Sequence, residues 1–171
     1  MKISEEFDAI IGFAREEAMR TGSFTIDADH LFLGILRHGG NSAVDALRSS
    51  GIDTAACKEE IDTLIFHEHS IPFGNEDDIR LGREGSNTVS LAIADAMSEG
   101  ADEAGALHLL KSICRQERSR SSEYLRRRGI DSKCFGTSND KGAKCDNELG
   151  KKEISILLST INLNTHKTIV S

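Results

Sequence analysis

The sequence predicts an all-α protein built as two pseudo-twofold-related repeats of about four short helices each. Three observations lead there. Only 5% of the 171 residues are aromatic, with no Trp, one Tyr and one Pro. A β-sandwich or barrel uses more aromatics and more turn prolines. Apolar residues recur three and four positions apart in one short segment after another. Finally, the chain repeats itself. A shift of 78 residues aligns 14–53 with 92–131 without a gap, and fourteen of the 40 positions are identical. Chance would give roughly two or three at ordinary composition.

The elements follow in order. Phe7, Ile10, Ile11, Ala14 and Ala18 fall on one helical face, and Gly22 is placed to end that helix in the left-handed conformation. Asp27 is a good N-cap for a second helix carrying Leu31, Phe32, Ile35 and Leu36. Gly39 and Gly40 break it. Asn41 or Ser42 then caps a third helix with Val44 and Leu47, and Gly51 closes it. Asp53 opens a fourth holding Ala56, Ile61, Leu64 and Ile65. The second repeat reproduces this order until Asp131, after which Gly136, Ser138, Asn139 and Gly142 bring loop chemistry.

The expected organisation is a double repeat over residues 1–133: repeat one at 3–66, a connection at 67–84 around Pro72, and repeat two at 85–133. A linker and tail take up 134–171. Ile154, Leu157, Leu158 and Ile161 suit a displaced last helix at about 148–161, and the same residues could also form a strand. A unit of about 60 residues buries too little apolar surface to be stable alone. The two units are therefore expected to share one core.

Composition narrows the function classes. The formal net charge of −7 argues against non-specific nucleic-acid binding, which draws on a basic surface. No apolar run is long enough for a membrane span, and the acidic start, Ser4-Glu5-Glu6, is unlike a signal peptide. The cysteines, Cys57, Cys114, Cys134 and Cys145, form no CxxC pair and read as free thiols of a reducing cytoplasm. A cytoplasmic location is expected.

No catalytic set converges in the sequence. The segment from Gly136 to Lys144 has five residues between its glycines and Ala143 before the lysine, so it is not a phosphate-binding loop. His30 and His108 take equivalent places at helix starts and read as residues that hold helix ends. His67-Glu68-His69 lacks further zinc ligands. Cys114 aligns with Leu36 and reads as core, and Cys57 lies in an acidic helix that would not activate it. The basic run from Arg115 to Arg128 is the strongest charge feature. It reads first as a solvated helix face, then as a contact face for an acidic partner or a larger assembly. A nucleic-acid patch comes last, since Tyr124 is the one stacking aromatic there. No catalytic residue, cofactor or metal site is expected.

The segment Ile26-Asp27-Ala28-Asp29-His30-Leu31-Phe32-Leu33-Gly34-Ile35-Leu36-Arg37 resembles the signature of the Clp N-terminal domain. Each repeat of that family carries a Thr/Pro-Glu-His-Leu-Leu-Leu-Gly-Leu-Leu segment, a variable turn, an Ala-x-x-x-Leu helix and a Gly-Val/Ile-Asp. Here Ala43 to Leu47 and Gly51-Ile52-Asp53 take the later places, and Ala106-Leu107-His108-Leu109-Leu110 is the second copy. The likeness covers about residues 5–131.

The resemblance implies a non-catalytic docking domain at the front of a Clp-type AAA+ unfoldase. Its partners would be unfolded or tagged protein substrates, adaptor proteins and the Clp ATPase ring. The alternative is a stand-alone accessory protein that docks on a Clp complex. Some family members recognise phosphorylated arginine through the acidic residue before the signature His. Asp29 and Leu107 stand at those places, so Asp29 is the one candidate ligand-binding residue, for phosphoarginine or a basic peptide. A carboxylate pairs with a guanidinium, and leucine does not. The other reading of Asp29 is a charge placed at the positive end of a helix.

Overall fold

The computed structural model describes residues 2–66, 69–72, 78–135 and 148–167. Helix α1 (Glu5–Thr21) is followed by α2 (Ala28–His38), α3 (Ser42–Ser49) and α4 (Thr54–Ile65). The second half holds α5 (Arg83–Ser98), α6 (Ala106–Cys114) and α7 (Arg120–Arg127), then a 3-10 turn at Ser132–Phe135 and α8 (Glu148–Lys167). Two-residue strands lie beside them: β1 (Lys2–Ile3), β2 (Thr25–Ile26), β3 (Arg80–Leu81) and β4 (Glu103–Ala104). The architecture is all-α in substance, and it obeys the 78-residue shift. Adding 78 to α3 gives the bounds of α7, and adding 78 to β1 and β2 gives β3 and β4.

The strands were not expected, and they carry the symmetry. β1 pairs in parallel with β4, Lys2 opposite Glu103, and β2 pairs in parallel with β3, Thr25 opposite Arg80. The shift that turns β1 into β3 and β4 back into β2 exchanges the two pairings. Each strand thus bonds to the other half, as a twofold relation requires. They are short because each is only the extended lead-in to a helix, with two residues to spare before the next cap.

Local chemistry repeats as well. Ser4 Oγ accepts from Phe7 N at 3.1 Å to start α1, whose first turn is acidic at Glu5, Glu6 and Asp8. α1 ends at Gly22 with φ 82°, where Gly22 N bonds Met19 O and Ser23 N bonds Ala18 O. α5 ends in the same way at Gly100, φ 71°, through Met97 O and Ala96 O. A side chain at either glycine would be strained, because this is the left-handed region.

A single apolar cluster runs through both halves. Phe7, Ile10, Leu31, Phe32 and Leu47 from one meet Val89, Ile93, Leu109, Ile113 and Leu125 from the other, and all are buried. Within each half the first two helices pack most closely. A Cβ on Gly34 of α2 would lie 2.6 Å from Ile10 O of α1. At the related crossing Ser112 replaces that glycine, and its hydroxyl donates to Thr88 O at 2.5 Å. One crossing is closed by the absence of a side chain, the other by a hydrogen bond.

The symmetry fails where the loop chemistry begins. Asp53 Oδ1 accepts from Ala55 N and Ala56 N and nucleates the twelve residues of α4. Asp131 Oδ1 accepts from Lys133 N at 2.9 Å and from the Cys134 thiol at 3.7 Å, and one 3-10 turn follows. Phe135 is buried at the position related to buried Cys57. α8 does not replace the missing helix. α4 packs on α2, α3 and α7, whereas α8 lies against α5 and α1, with Ile161 buried and Ile156 exposed.

Candidate functional site

The two repeats meet at a seam where α2 of the first half faces the start of α7 in the second, and Asp29 is bonded across it. Asp27 precedes α2, and its backbone N–H donates to His30 Nδ1 at 3.0 Å. The ring proton therefore sits on Nε2, which faces Thr21 Oγ1 at 3.2 Å. His108 repeats the arrangement: Gly105 N donates to Nδ1 at 3.0 Å, and Nε2 meets Glu99 at 2.9 Å. Each histidine ties the start of its helix to the end of the preceding one.

That anchor sets the direction of Asp29. Its Oδ1 accepts from Ser119 Oγ at 2.8 Å, Ser121 N at 2.9 Å and Ser121 Oγ at 2.8 Å. Oδ2 accepts a longer bond of 3.3 Å from Arg120 N. Ser119 is itself the N-cap of α7, accepting from Ser122 N at 3.2 Å. Asp29 therefore supplies a carboxylate to the positive end of a helix in the opposite repeat. The sequence placed it at the start of its own helix, which holds, but gave no sign that it reaches across.

The related place cannot work this way, because Leu107 stands there. Asn41 caps α3 unaided: Oδ1 accepts from Val44 N at 2.9 Å and Nδ2 donates to Ile35 O at 3.1 Å. Asn41 does within one half what Ser119 and Asp29 do between two. The 78-residue shift pairs asparagine with serine and aspartate with leucine, which marks the two places as unlike without showing the contact.

A second carboxylate borders the seam. Glu84, in the first turn of α5, is pushed above the usual carboxylate range, first by burial and then by the charges of Asp29 and Asp27, with Arg118 acting against them. Glu99 has the opposite balance. Burial opposes its charge, but His108 and Lys111, the latter at 3.1 Å, together outweigh it and hold its carboxyl low.

On the far side of α7, Cys57 of α4 lies against Tyr124, and Arg128 covers the tyrosine ring at 3.5 Å while reaching Glu60 at 3.7 Å. Burial pushes the Cys57 thiol up to about 12, and Cys114 likewise. Neither is an activated nucleophile. Cys134 is exposed on the 3-10 turn. Cys145, the glycine segment at 136–144 and His67-Glu68 lie outside the described residues. Among the described residues no group of His, Cys, Asp and Glu could hold a metal ion, and no helix is long and apolar enough to cross a membrane.

Comparison with known proteins agrees with this architecture. The family described as the Clp repeat (R) N-terminal domain matches residues 2–127. The chain is 25% identical over 129 residues to the chaperone protein ClpB of Oceanobacillus iheyensis, which takes in 75% of this chain and 16% of that protein. It is 23% identical over 129 residues to the negative regulator of genetic competence ClpC/MecB of Bacillus subtilis, covering 75% and 15%. The chain thus spans about one sixth of the length of these relatives. In fold it is similar to the N-terminal domain of the caseinolytic protease associated chaperone ClpD from Arabidopsis thaliana. The TM-score is 0.62 at 15% identity, over 78% of this chain and 89% of that one.

Proposed function

Because the chain belongs to the Clp repeat (R) N-terminal domain family, we propose that residues 1–133 form a non-catalytic docking domain, which receives unfolded or tagged proteins and adaptors and presents them to a Clp-type ATPase ring in the cytoplasm. The observation that carries this reading is that the match runs through both repeats. The site chemistry supports it. At the seam the Asp29 carboxylate is occupied with a helix end, and the two buried thiols are held protonated. What remains for function is surface and the grooves between short helices.

Asp29 has a specific place in the proposal. Its inner oxygen already takes three hydrogen bonds, so the carboxylate acts first as a clasp between the repeats. A guanidinium ligand would meet Oδ2, which carries the single 3.3 Å bond. Calorimetric titration tests both levels. Saturable binding of a permanently unfolded, near-neutral polypeptide, absent for the same protein in its native form, is the expected result. Equal heats for both forms, or none for either, would overturn the docking reading. Phosphoarginine titrated into wild type and Asp29→Asn then shows whether the outer oxygen takes a ligand.

A further inference from the structure

The internal symmetry provides a control that most proteins lack. α3 and α7 are eight residues each, occupy related places, and end on glycines with positive φ, Gly51 and Gly129. A helix of this length at this place therefore forms without the extra charge that α7 carries. The excess is large. Residues 115–133 hold seven basic and three acidic side chains, while the related residues 37–55 hold two of each. Arg120, Arg127 and Arg128 stand where the first half has Ser42, Ser49 and Ser50.

These three arginines are served by two carboxylates, Glu123 and Glu60. Their side chains are 57%, 69% and 42% exposed. Glu123 serves both Arg120, at 3.9 Å, and Arg127, at 2.8 Å. Arg126 donates to the Glu117 carbonyl and not to a carboxylate. Exposed pairs of this kind hold each other weakly and exchange partners readily. The result is a basic face on an acidic chain.

From this we propose that the outer face of α7 is a docking surface for an acidic polypeptide segment, one rich in Glu and Asp. Charge complementarity names the partner's sign, and α7, whose one ring is Tyr124, offers no exposed ring of its own for a base to stack on. Binding of single strands needs exposed rings on which bases stack. Tyr124 is 5% exposed and lies under Arg128. The inference rests on the docking reading above and adds the partner's chemistry to it.

The test is fluorescence anisotropy of the whole chain with a labelled glutamate-rich peptide and with a labelled single-stranded oligonucleotide of matched charge. Saturable peptide binding that weakens as salt rises is expected. Arg120→Ser/Arg127→Ser, which copies the first half, is expected to weaken it by roughly tenfold. The charge-matched control Arg48→Ser/Arg83→Ser leaves it within about twofold. Circular dichroism confirms that both variants fold. No saturable peptide binding, equal loss in both variants, or tighter binding of the oligonucleotide would overturn the proposal. Retained binding of the near-neutral unfolded polypeptide in that event would leave the docking reading in place; loss of both would remove it too.

Discussion

Asp29 and Ser121 are 92 positions apart, and they are joined twice: Ser121 N and Ser121 Oγ both donate to Asp29 Oδ1, at 2.9 and 2.8 Å. No symmetric counterpart exists, because Leu107 stands at the related position. The two halves are therefore alike in backbone and unlike in how they are fastened. One seam is clasped by a carboxylate, the other by apolar packing.

Removing the clasp costs stability. Asp29→Ala leaves Ser119, Arg120 and Ser121 without their acceptor at a helix start, and a loss of about 1–2 kcal/mol is expected. Asp29→Asn keeps an acceptor oxygen, loses the charge, and falls between. Urea unfolding monitored by circular dichroism measures both. An Asp29→Ala midpoint equal to wild type would mean that the four bonds contribute nothing.

Glu84 carries a penalty at neutral pH. Its folded value is raised, so holding it ionised costs stability above that value, and the cost vanishes once it is protonated. Glu84→Gln is expected to raise the melting temperature at neutral pH and to lose that advantage in acid. A gain that is the same at every pH would contradict the electrostatic origin.

Glu99 has the opposite sign. A lowered folded value means stability that is present above the ordinary carboxylate range and lost as pH falls through the lowered one. Glu99→Gln should therefore be less stable than wild type near neutrality, with the two converging in acid. Thermal unfolding across the acid range checks this, and a constant difference between the two proteins would refute it.

The two helix crossings should respond differently to the same small change. Gly34→Ala drives a methyl group against Ile10 O and is expected to cost about 1–3 kcal/mol through overpacking. Ser112→Ala removes one bond to Thr88 O and should cost about 1 kcal/mol. Equal losses in chemical denaturation would mean that Gly34 is not held by its close approach.

Thiol chemistry is predicted to be ordered. With an alkylating reagent under native conditions at mildly alkaline pH, Cys134 is modified first. Cys57 and Cys114, buried and pushed up to about 12, react on the timescale of unfolding. Site-resolved mass spectrometry reads the order. Early labelling of Cys57 would show that α4 opens locally over Tyr124.

The class of fold was legible because its signals are local. Caps at Asp27, Asn41 and Asp53, stops at Gly22 and Gly51, and apolar spacing between them all act within one helix and recur at a fixed shift. The failure of a fourth helix after Asp131 was legible for the same reason. The strands were not, since two-residue pairs depend on partners from the other half. At the site, Asp29 was singled out by position alone. Its reach to Ser121 follows from how two repeats are set against each other, and no periodicity encodes that. The arginine excess on α7 was visible in the sequence, but its meaning needed α3 as the matched helix without it.

Native-state hydrogen exchange along the whole chain tests most directly whether two homologous halves make one body. The account predicts that the slowest amides of α1 and α2 open with the same free energy as those of α5 and α6, and that Asp29→Ala lowers both sets together. Protection that persists in one half while the other exchanges freely would show two independent units and contradict the shared core.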